Sequence, residues 1–357
     1  MPPLEPAPPL SRFEFWSPRL FYLPVWAWVL LLAMRHRGLR LPLIANPGLP
    51  ASGLVGESKS HVLGVAGTEA RKWIAPFTTA VRSSLAPANA AADALATLTR
   101  AGLALPVVAK PDLGCRGAGV RPIRTQAELS SYLAGFPVGQ TIVLQQLVDA
   151  EGEAGVFYVR EPGAERGRIF SLTLKHFPHV TGDGLSTLRE LIGRDPRAGQ
   201  LAHLYLHRHQ ARLDEVVPRD ERVRLAFAGS HSRGAIFRDG ARHVTEALER
   251  RFDAIARDIP EFWFGRFDVR FADFEAFRRG EDLAIVEVNG AGAEATHIWD
   301  SRTRLRDAYR TLFRQFGLLW AIGAANRRRG FRPESWRAFL RRWLTERRLV
   351  STYPPTA

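Results

Sequence analysis

Oxygen-bearing side chains occur in a strand-like stretch of the C-terminal third of the chain. In LAIVEVNG, which begins at Leu283, Glu287 interrupts an apolar run, and Asn289 follows two residues later. Residues two apart in a strand point to the same side, so the two side chains can share one site. An apolar run of this kind is typical of a strand buried on both faces, where an unpaired carboxylate is costly. The stretch therefore predicts either a metal site or a strand end where Glu287 reaches solvent or an arginine.

A second strand-like stretch, GRFDVRF, contributes Asp268 and, on the same face two residues earlier, Arg266. Asp268, Glu287 and Asn289 together form an all-oxygen ligand set, which suits magnesium and not zinc. By itself, the stretch is equally compatible with an ordinary ion pair between Asp268 and a neighbouring arginine.

Lysine is scarce in this chain. Only Lys59, Lys72, Lys110 and Lys175 are lysines among 50 basic residues. Arginine occupies nearly every generic basic position, so a remaining lysine is a candidate for a role that arginine cannot fill. A compact ammonium held between phosphate oxygens is one such role. Chance survival is an equally good explanation for one or two of the four.

A glycine-rich segment separates two short predicted strands. It contains Gly114, Gly117 and Gly119, whose backbone N–H groups could cover a phosphate chain. The segment lacks the lysine–serine ending of a P-loop and opens no helix, so an ordinary glycine turn is the alternative. Combined with two lysine-bearing strands and an all-oxygen metal site, it makes a nucleoside triphosphate the natural ligand.

The elements that must position these residues are helices and strands along the middle of the chain. Thr125, with Glu128 three residues later, is typical of a helix N-cap. Apolar or alternating runs predict strands at residues 105–110, 120–123, 141–148, 155–160, 169–176, 223–228, 264–271 and 283–288. The predicted fold class is α+β, with sheets of mixed direction.

Both ends of the chain carry apolar segments beside arginines. The run from Leu20 to Met34 is shorter than the roughly 20 residues that cross a bilayer, so we expect a buried or interfacial helix beginning near Tyr22. Near the other end, apolar residues recur at helical spacing among nine arginines and two glutamates between residues 326 and 348; they are Trp336, Phe339, Leu340, Trp343 and Leu344. This pattern predicts a helix that either lies on an anionic membrane or packs its apolar stripe on the protein.

Composition limits the class of protein. The 357 residues can form two or three modules with a sizeable core, and 46% hydrophobic with 24% charged residues excludes wholesale disorder. A single cysteine excludes an intramolecular disulfide framework and fits the cytoplasm. The net charge of +14 favours phosphate-bearing partners. Nucleic acid is disfavoured because no zinc-finger spacing, helix-turn-helix signature or RNA-binding aromatic motif accompanies the charge.

The order of the motifs from about Lys72 to Thr296 resembles the ATP-grasp superfamily, most closely its carboxylate–amine ligases. VVAKPDLGCRGAGV resembles the first lysine strand and its triphosphate loop, and VLQQLVDAEGEAGVFYV resembles the hinge strand. VTGDG-x-ST-x-RELI, after Lys175, is similar to cyanophycin synthetase, while GRFDVRF and VEVNGAGAEAT resemble the metal-ligand strands of D-alanine–D-alanine ligases. The segment ANPGLPASGLVGESK, residues 45–59, matches no ligase motif.

The resemblance implies a role for each matching residue. The ATP-binding residues would be Lys72, Lys110, Gly117, Gly119, Gln145, Gln146, Leu147, Val148, Glu153 and Lys175. Among them, the lysines and glycines would hold the phosphates, the residues at 145–148 would flank the adenine, and Glu153 would bind the ribose. Asp268, Glu287 and Asn289 would hold magnesium ions, for which manganese could substitute. The catalytic residues would be Arg266, Arg233 and His231, which would stabilise the acyl phosphate.

The resemblance also implies an architecture and an activity. We expect an ATP-grasp fold in which two α+β subdomains grip ATP, with a reduced N-terminal region (1–70), an ATP-grasp domain (71–320) and a basic C-terminal helix and tail (321–357). The implied activity is magnesium-dependent, ADP-forming ligation of an unidentified carboxylate to an unidentified amine, in a protein that could form a homodimer. The alternative is a non-catalytic, ATP-binding regulatory or scaffold protein at a membrane surface.

Overall fold

The structure, a computed structural model, describes residues 1–115, 117–227, 229, 234–354 and 356. It is an α+β protein, as predicted, but every strand pair in these ranges is antiparallel, so the expected mixture of strand directions is wrong. The strands are β1 (Phe77–Val81), β2 (Val107–Pro111), β3 (Arg121–Ile123), β4 (Thr141–Gln146), β5 (Gly152–Val159), β6 (Arg168–His176), β7 (His179–Thr181), β8 (Arg222–Arg224), β9 (Ile236–Asp239), β10 (Phe264–Phe271) and β11 (Ala284–Asn289).

The helices surround these sheets. They are α1 (Pro18–Phe21), α2 (Leu23–Arg35), α3 (Lys59–Gly64), α4 (Thr68–Arg71), α5 (Pro87–Arg100), α6 (Gln126–Ala134), α7 (Leu188–Arg194), α8 (Ala202–Arg208), α9 (Glu246–Arg257), α10 (Phe274–Arg278), α11 (Leu305–Arg328) and α12 (Trp336–Val350). The predicted N-cap is confirmed, because the Thr125 side chain accepts a hydrogen bond from the Glu128 N–H at the start of α6.

One sheet has four strands in the order β1-β4-β2-β3. Helices α5 and α6 pack on it through an apolar cluster that includes Leu98, Leu129 and Leu144. All four strands and both helices lie between residues 77 and 146, so this unit is formed by one continuous stretch of chain.

The larger sheet has five strands in the order β11-β10-β5-β6-β9. Alternate residues of β5 point to opposite faces, as strand geometry requires. Val156 and Tyr158 pack in the core that contains Phe252 of α9, whereas Phe157 and Val159 pack in the core formed with α2 and α11. The face that carries Phe157 and Val159 is apolar at these residues. Farther along the strands, the same face carries charged side chains.

The two sheets contact each other at β11, and the chain crosses from one sheet to the other at two points. Residues 147–151 run directly from β4 in the four-stranded sheet to β5 in the five-stranded sheet. The other crossing precedes β1, where Ile74 forms a parallel bridge with Ile285 of β11. The Gln145 side chain donates to the Ala75 carbonyl at 3.1 Å, which ties the two crossing points together.

The two end helices are found close to their predicted positions. Helix α2 begins at Leu23 with Pro24 in its first turn, and α12 begins after a Ser335 cap whose side chain accepts from the Ala338 N–H. Among the described residues, no helix combines the length and the apolar character needed to cross a bilayer.

Candidate active site

A cluster of charged side chains is buried on one face of the five-stranded sheet. Lys175 of β6 has its Nζ 3.0 Å from Oε1 of Glu153 on β5 and 3.0 Å from Oδ1 of Asp268 on β10. Its side chain is only 3% exposed. Neighbouring strands thus bring together residues that are distant in sequence, and one ammonium bridges two carboxylates.

Two arginines of β10 complete what we call the charge cluster (Glu153, Lys175, Arg266, Asp268 and Arg270). Arg266 donates through Nε and Nη2 to both oxygens of Asp268, at 2.8 and 3.0 Å, and Arg270 Nε lies 2.8 Å from Glu153 Oε2. Burial alone would raise the pKa of Asp268, but Arg266 and Lys175 outweigh it and lower that pKa to about 2. Burial is likewise outweighed at Glu153, whose pKa is lowered by Lys175 and Arg270.

Two glycines allow the charge cluster to pack this tightly. Gly155 is the register partner of Asp268, and a Cβ at Gly155 would lie 3.1 Å from Arg266 Cδ and 3.3 Å from Asp268 Oδ1. A Cβ at Gly229 would lie 1.8 Å from Oε1 of Glu153. A side chain at either position would therefore press on the charged groups.

Strand β11 places Glu287 and Asn289 beside this cluster. Glu287 is the register partner of Asp268, and Asn289 is the register partner of Arg266. The Asn289 amide donates to Asp268 Oδ2 at 3.5 Å, whereas Glu287 has no hydrogen-bond or ion-pair partner within the described ranges. The expectation that this strand is buried on both faces is wrong, because β11 is an edge strand and Glu287 is partly exposed.

Lys110 approaches the same strand from the four-stranded sheet. Its Nζ donates to Gln145 Oε1 at 2.6 Å and, across the gap between the sheets, to the Val286 carbonyl at 3.0 Å. Burial lowers the pKa of Lys110 to about 8, opposed by the negative charge of Glu287. The ammonium therefore has neutral oxygen partners and a nearby carboxylate that it does not contact.

A narrow cleft separates the two sheets at this point. Its walls include Lys110 and Gln145 of the four-stranded sheet, Glu287 of β11, and Lys59 at the start of α3, and in this structure they lie too close together to admit a water molecule between them. Two lysines and one carboxylate that lacks a described partner thus face one cavity. This is the arrangement expected where a polyanion binds together with a cation.

Motif comparison of the sequence missed Glu57 and Lys59. Lys59 donates to the Gly114 carbonyl at 2.7 Å and so holds the glycine-rich segment beside the cleft. Glu57 is half-buried, accepts from the Gly290 N–H at 3.3 Å, and has a buried Oε1 atom with no hydrogen-bond partner among the described residues. Burial raises the pKa of Glu57 to about 8. The scarcity of lysine was the one signal in the sequence that included Lys59.

The segment before these residues has an unusual backbone. Ala51 (φ 48°), Ser52 (φ 56°) and Gly53 (φ 71°) are all in the left-handed region, which costs energy for the two residues that carry a Cβ. The Ser52 carbonyl accepts from the Ala291 N–H at 2.8 Å, so this turn packs directly on the chain that follows β11. Asn46 fixes the turn by donating to Ser52 O at 3.2 Å and Phe264 O at 2.7 Å.

The glycine-rich segment connects β2 and β3, as predicted. Gly117 and Gly119 have φ values of 70° and 69°, which favour glycine. The C-terminal tail contacts both, because the Thr356 hydroxyl donates to the Gly117 carbonyl at 2.8 Å and accepts from the Gly119 N–H at 3.2 Å. Tyr353 adds a hydrogen bond of 2.7 Å to the Leu113 carbonyl. In this structure the tail therefore fastens the segment.

The residues expected beside the adenine lie at the junction of the sheets. Gln145 and Gln146 end β4, and Leu147 and Val148 begin the connection to β5. Their position agrees with a hinge, while contact with adenine stays a prediction. Glu153, expected to bind the ribose, lies instead within the charge cluster, where its carboxylate pairs with two cations, so its ribose contact also stays a prediction.

Three predicted residues are not brought into the site by the described contacts. Lys72 pairs with Glu69 at 2.7 Å on an exposed surface, and no contact with the charge cluster is found for it within the described ranges. His231 and Arg233 lie outside the residues that the structure describes, so their catalytic roles stay predictions.

The donor set fits a hard divalent cation by its chemistry. Asp268, Glu287 and Asn289 present carboxylate and amide oxygens on two adjacent strands, and these are the ligands that magnesium prefers. Both oxygens of Asp268 are engaged by cations, so Glu287 is the carboxylate available for a new partner. Over the described part of the chain, no group of three or more His, Cys, Asp or Glu residues could hold a metal ion.

No protein-family model matches the chain, and neither does any curated protein. Its structure is similar to that of a bifunctional glutathione synthetase from Pasteurella multocida, at 15% identity and a TM-score of 0.35, over 72% of this chain and 36% of that one. It is also similar to the D-cycloserine synthetase DcsG, at 14% identity and a TM-score of 0.39, over 78% and 73%. A D-alanine–D-alanine ligase from Bacillus anthracis is 12% identical with a TM-score of 0.40, over 77% and 72%.

This chain thus spans 36% of the length of the glutathione synthetase. With TM-scores below 0.5, these similarities carry no argument about this protein.

Proposed function

We propose that this protein is an ATP-grasp ligase that uses ATP to join a carboxylate to an amine. The observation that carries the proposal is the cleft in which Lys110 of one sheet and Glu287 of the other face each other without contact. A lysine with only neutral partners and a carboxylate with no described partner favour a bound phosphate chain and its cation, which would satisfy both. The charge cluster lies beside this cleft, because its Asp268 is the register partner of Glu287.

ATP would bind between the two sheets, with its base near the connection at residues 147–151 and its phosphates near Lys110. Gln145 orients the Lys110 ammonium by accepting a hydrogen bond from it at Oε1. The backbone of the glycine-rich segment would cover the phosphates. Lys59 holds that segment in place by donating a hydrogen bond to the Gly114 carbonyl. These contacts would position the phosphates, which is most of what phosphoryl transfer requires.

Asp268, Glu287 and Asn289 are the residues that would hold magnesium. When bound, magnesium would neutralise charge on the two terminal phosphates of ATP. Asp268 would have to share its oxygens with Arg266 and Lys175, so Glu287 would contribute the strongest new contact.

In the reaction implied by the resemblance, an oxygen of the substrate carboxylate attacks the γ-phosphorus of ATP, and ADP leaves. The amine then attacks the resulting acyl phosphate and displaces inorganic phosphate. Arg266 is held in place by its two hydrogen bonds to Asp268 and would stabilise the negative charge that develops on the acyl phosphate. Cytoplasmic location and a homodimer are further expectations of the same proposal.

Phosphate release from Mg-ATP tests the proposal. Wild type would be assayed with pooled amino acids and small carboxylic acids, beside Glu287→Gln and, as a matched control, Glu281→Gln, which changes an exposed acid elsewhere. We expect release that depends on the pool, persists in the control and is lost in Glu287→Gln. Tight Mg-ATP binding without release would favour the regulatory or scaffold alternative, and failure to bind ATP would refute both.

A further inference from the structure

Helix α2 presents an apolar face to solvent. Its inner face, with Val25, Val29 and Leu32, packs in the core shared with α11. The outer face consists of large apolar side chains that are between 53% and 67% exposed, namely Leu23, Trp26, Leu30, Leu31 and Met34, and Leu20 of the preceding α1 is 69% exposed. Contiguous exposed apolar surface of this kind marks an interaction site on a folded protein.

Helix α12 presents a second exposed apolar stripe. None of its residues is buried, and the stripe is between 39% and 56% exposed at Trp336, Leu340, Trp343 and Leu344. The expectation that this stripe packs on the protein is therefore wrong for these four residues. The opposite side of the helix rests on the body of the protein, where Glu346 accepts from the Gly56 N–H at 3.0 Å.

The ends of the two helices meet at a group of arginines. Arg327, at the end of α11, donates to the carbonyls of His36 and Arg37 just beyond α2, each at 2.9 Å. Arg40 donates to the Glu334 carbonyl before α12, also at 2.9 Å. The two apolar faces are therefore connected through a basic junction.

The charge around these faces is strongly one-sided. Residues 18–40 contain no acidic residue, and the only acid in α12 is Glu346, which points to the protein. The arginines of residues 18–40 and 327–348 are Arg19, Arg35, Arg37, Arg40, Arg327, Arg328, Arg329, Arg332, Arg337, Arg341, Arg342, Arg347 and Arg348, of which Arg329 pairs with Glu261 and Arg342 with Glu334. A second copy of the chain would bring like charges together here, whereas an anionic surface would complement them.

We propose that α2 and α12 form a docking surface for an anionic lipid bilayer. A helix of 13 residues is about 20 Å long, shorter than the roughly 30 Å hydrocarbon core, so α2 would lie in the interface and not span it. Tryptophan and leucine side chains enter the boundary between headgroups and acyl chains, and arginines bind the lipid phosphates. Lipid binding by this surface does not require ATP, so its test is independent of the test of the proposed ligation.

Vesicle cosedimentation without nucleotide tests this surface. The probes are vesicles of phosphatidylglycerol with phosphatidylcholine, and vesicles of phosphatidylcholine alone. We expect the full chain to bind the anionic vesicles and to be released by salt. Each arginine contributes about a fivefold change in binding, so the variant Arg337→Gln/Arg341→Gln/Arg348→Gln should bind roughly 100-fold more weakly.

A second variant tests the apolar face. Leu23→Gln/Trp26→Gln/Leu30→Gln changes exposed side chains only, so folding should be kept, and binding should fall at least 10-fold. The matched control is Leu185→Gln, which alters a leucine that is 85% exposed elsewhere. Equal binding to both vesicle types, or unchanged binding by either triple variant, would overturn the proposal. If the protein self-associates without lipid and the apolar triple variant does not, the face would instead bind a second copy of the chain.

Discussion

The charge cluster and the adjacent cleft both contain lysine and carboxylate side chains. Those in the cluster form ion pairs with one another, whereas Lys110 and Glu287 in the cleft do not. In the charge cluster, three cations and two carboxylates contact one another at 2.8 to 3.0 Å, so each charge has a partner of opposite sign. In the cleft, Lys110 has neutral partners and Glu287 has none within the described residues. The cluster is therefore already paired, and the cleft is where a ligand would add the most favourable contacts.

The largest effect should come from breaking the charge cluster. Asp268→Asn removes one of two anions and leaves Lys175 and Arg266 under-compensated in a buried site, so the free energy of unfolding should fall by about 3–5 kcal/mol. Urea unfolding measures this change. Glu287→Gln is the control, and an equal loss in both variants would mean that the two regions do not differ in pairing.

The next effect concerns the cleft. Glu287→Gln should reduce ATP-dependent phosphate release by about 100- to 1000-fold, because the variant loses the one carboxylate that is available to the ligand. Its unfolding midpoint should stay close to that of wild type. Retention of full activity would show that the cleft is not the reaction site.

The tight packing of the charge cluster gives a smaller effect. Gly155→Ala places a methyl group against Arg266 and Asp268, so we expect a loss of about 1–3 kcal/mol in the free energy of unfolding. Gly193→Ala is the matched control, since nothing lies within 4 Å of a Cβ there. Equal free energies of unfolding in the two variants would indicate that the cluster accommodates the added methyl group without cost.

The titration of Lys110 gives the most gradual effect. Its pKa is about 8 in the free protein, and phosphates bind the ammonium form. Mg-ATP affinity should therefore fall as the pH rises through 8, by about tenfold for each further pH unit. Calorimetric titrations from pH 6.5 to 9.5 measure the slope. Lys110→Arg keeps its charge throughout this range, and an identical slope in that variant would assign the titration to another group.

Local sequence patterns predicted much of the fold. Strand β10 spans residues 264–271 as expected, and the capped start of α6 follows from the spacing of Thr125 and Glu128. Such patterns depend only on residues that are close together in the sequence, so they can be recognised without knowing the fold. The lysine argument likewise selected four residues, of which Lys59, Lys110 and Lys175 lie in or beside the site, whereas Lys72 pairs with Glu69 on an exposed surface.

The errors concern long-range arrangement. An apolar run does not say whether its strand is central or at an edge, and only the sheet order places Glu287 at a cleft. The left-handed turn at residues 51–53 contains two residues that rarely adopt that backbone, so turn preferences could not predict it. The contact of Glu57 with Gly290 spans 233 positions, and no local signal predicts it.

The continuity of the four-stranded unit has a consequence for motion. Residues 77–146 make their sheet and helix contacts mostly with each other, so they have the features of a cooperative unit that opens without unfolding the five-stranded sheet. The contacts that hold it closed include the Lys110 bond to Val286, the hydrogen bonds from residues 58–60 to Asp112 and Gly114, and the tail at Tyr353. In native-state hydrogen exchange, amides at the two crossing points should therefore exchange earlier than those inside either sheet, which gives the cleft a defined way to admit a nucleotide.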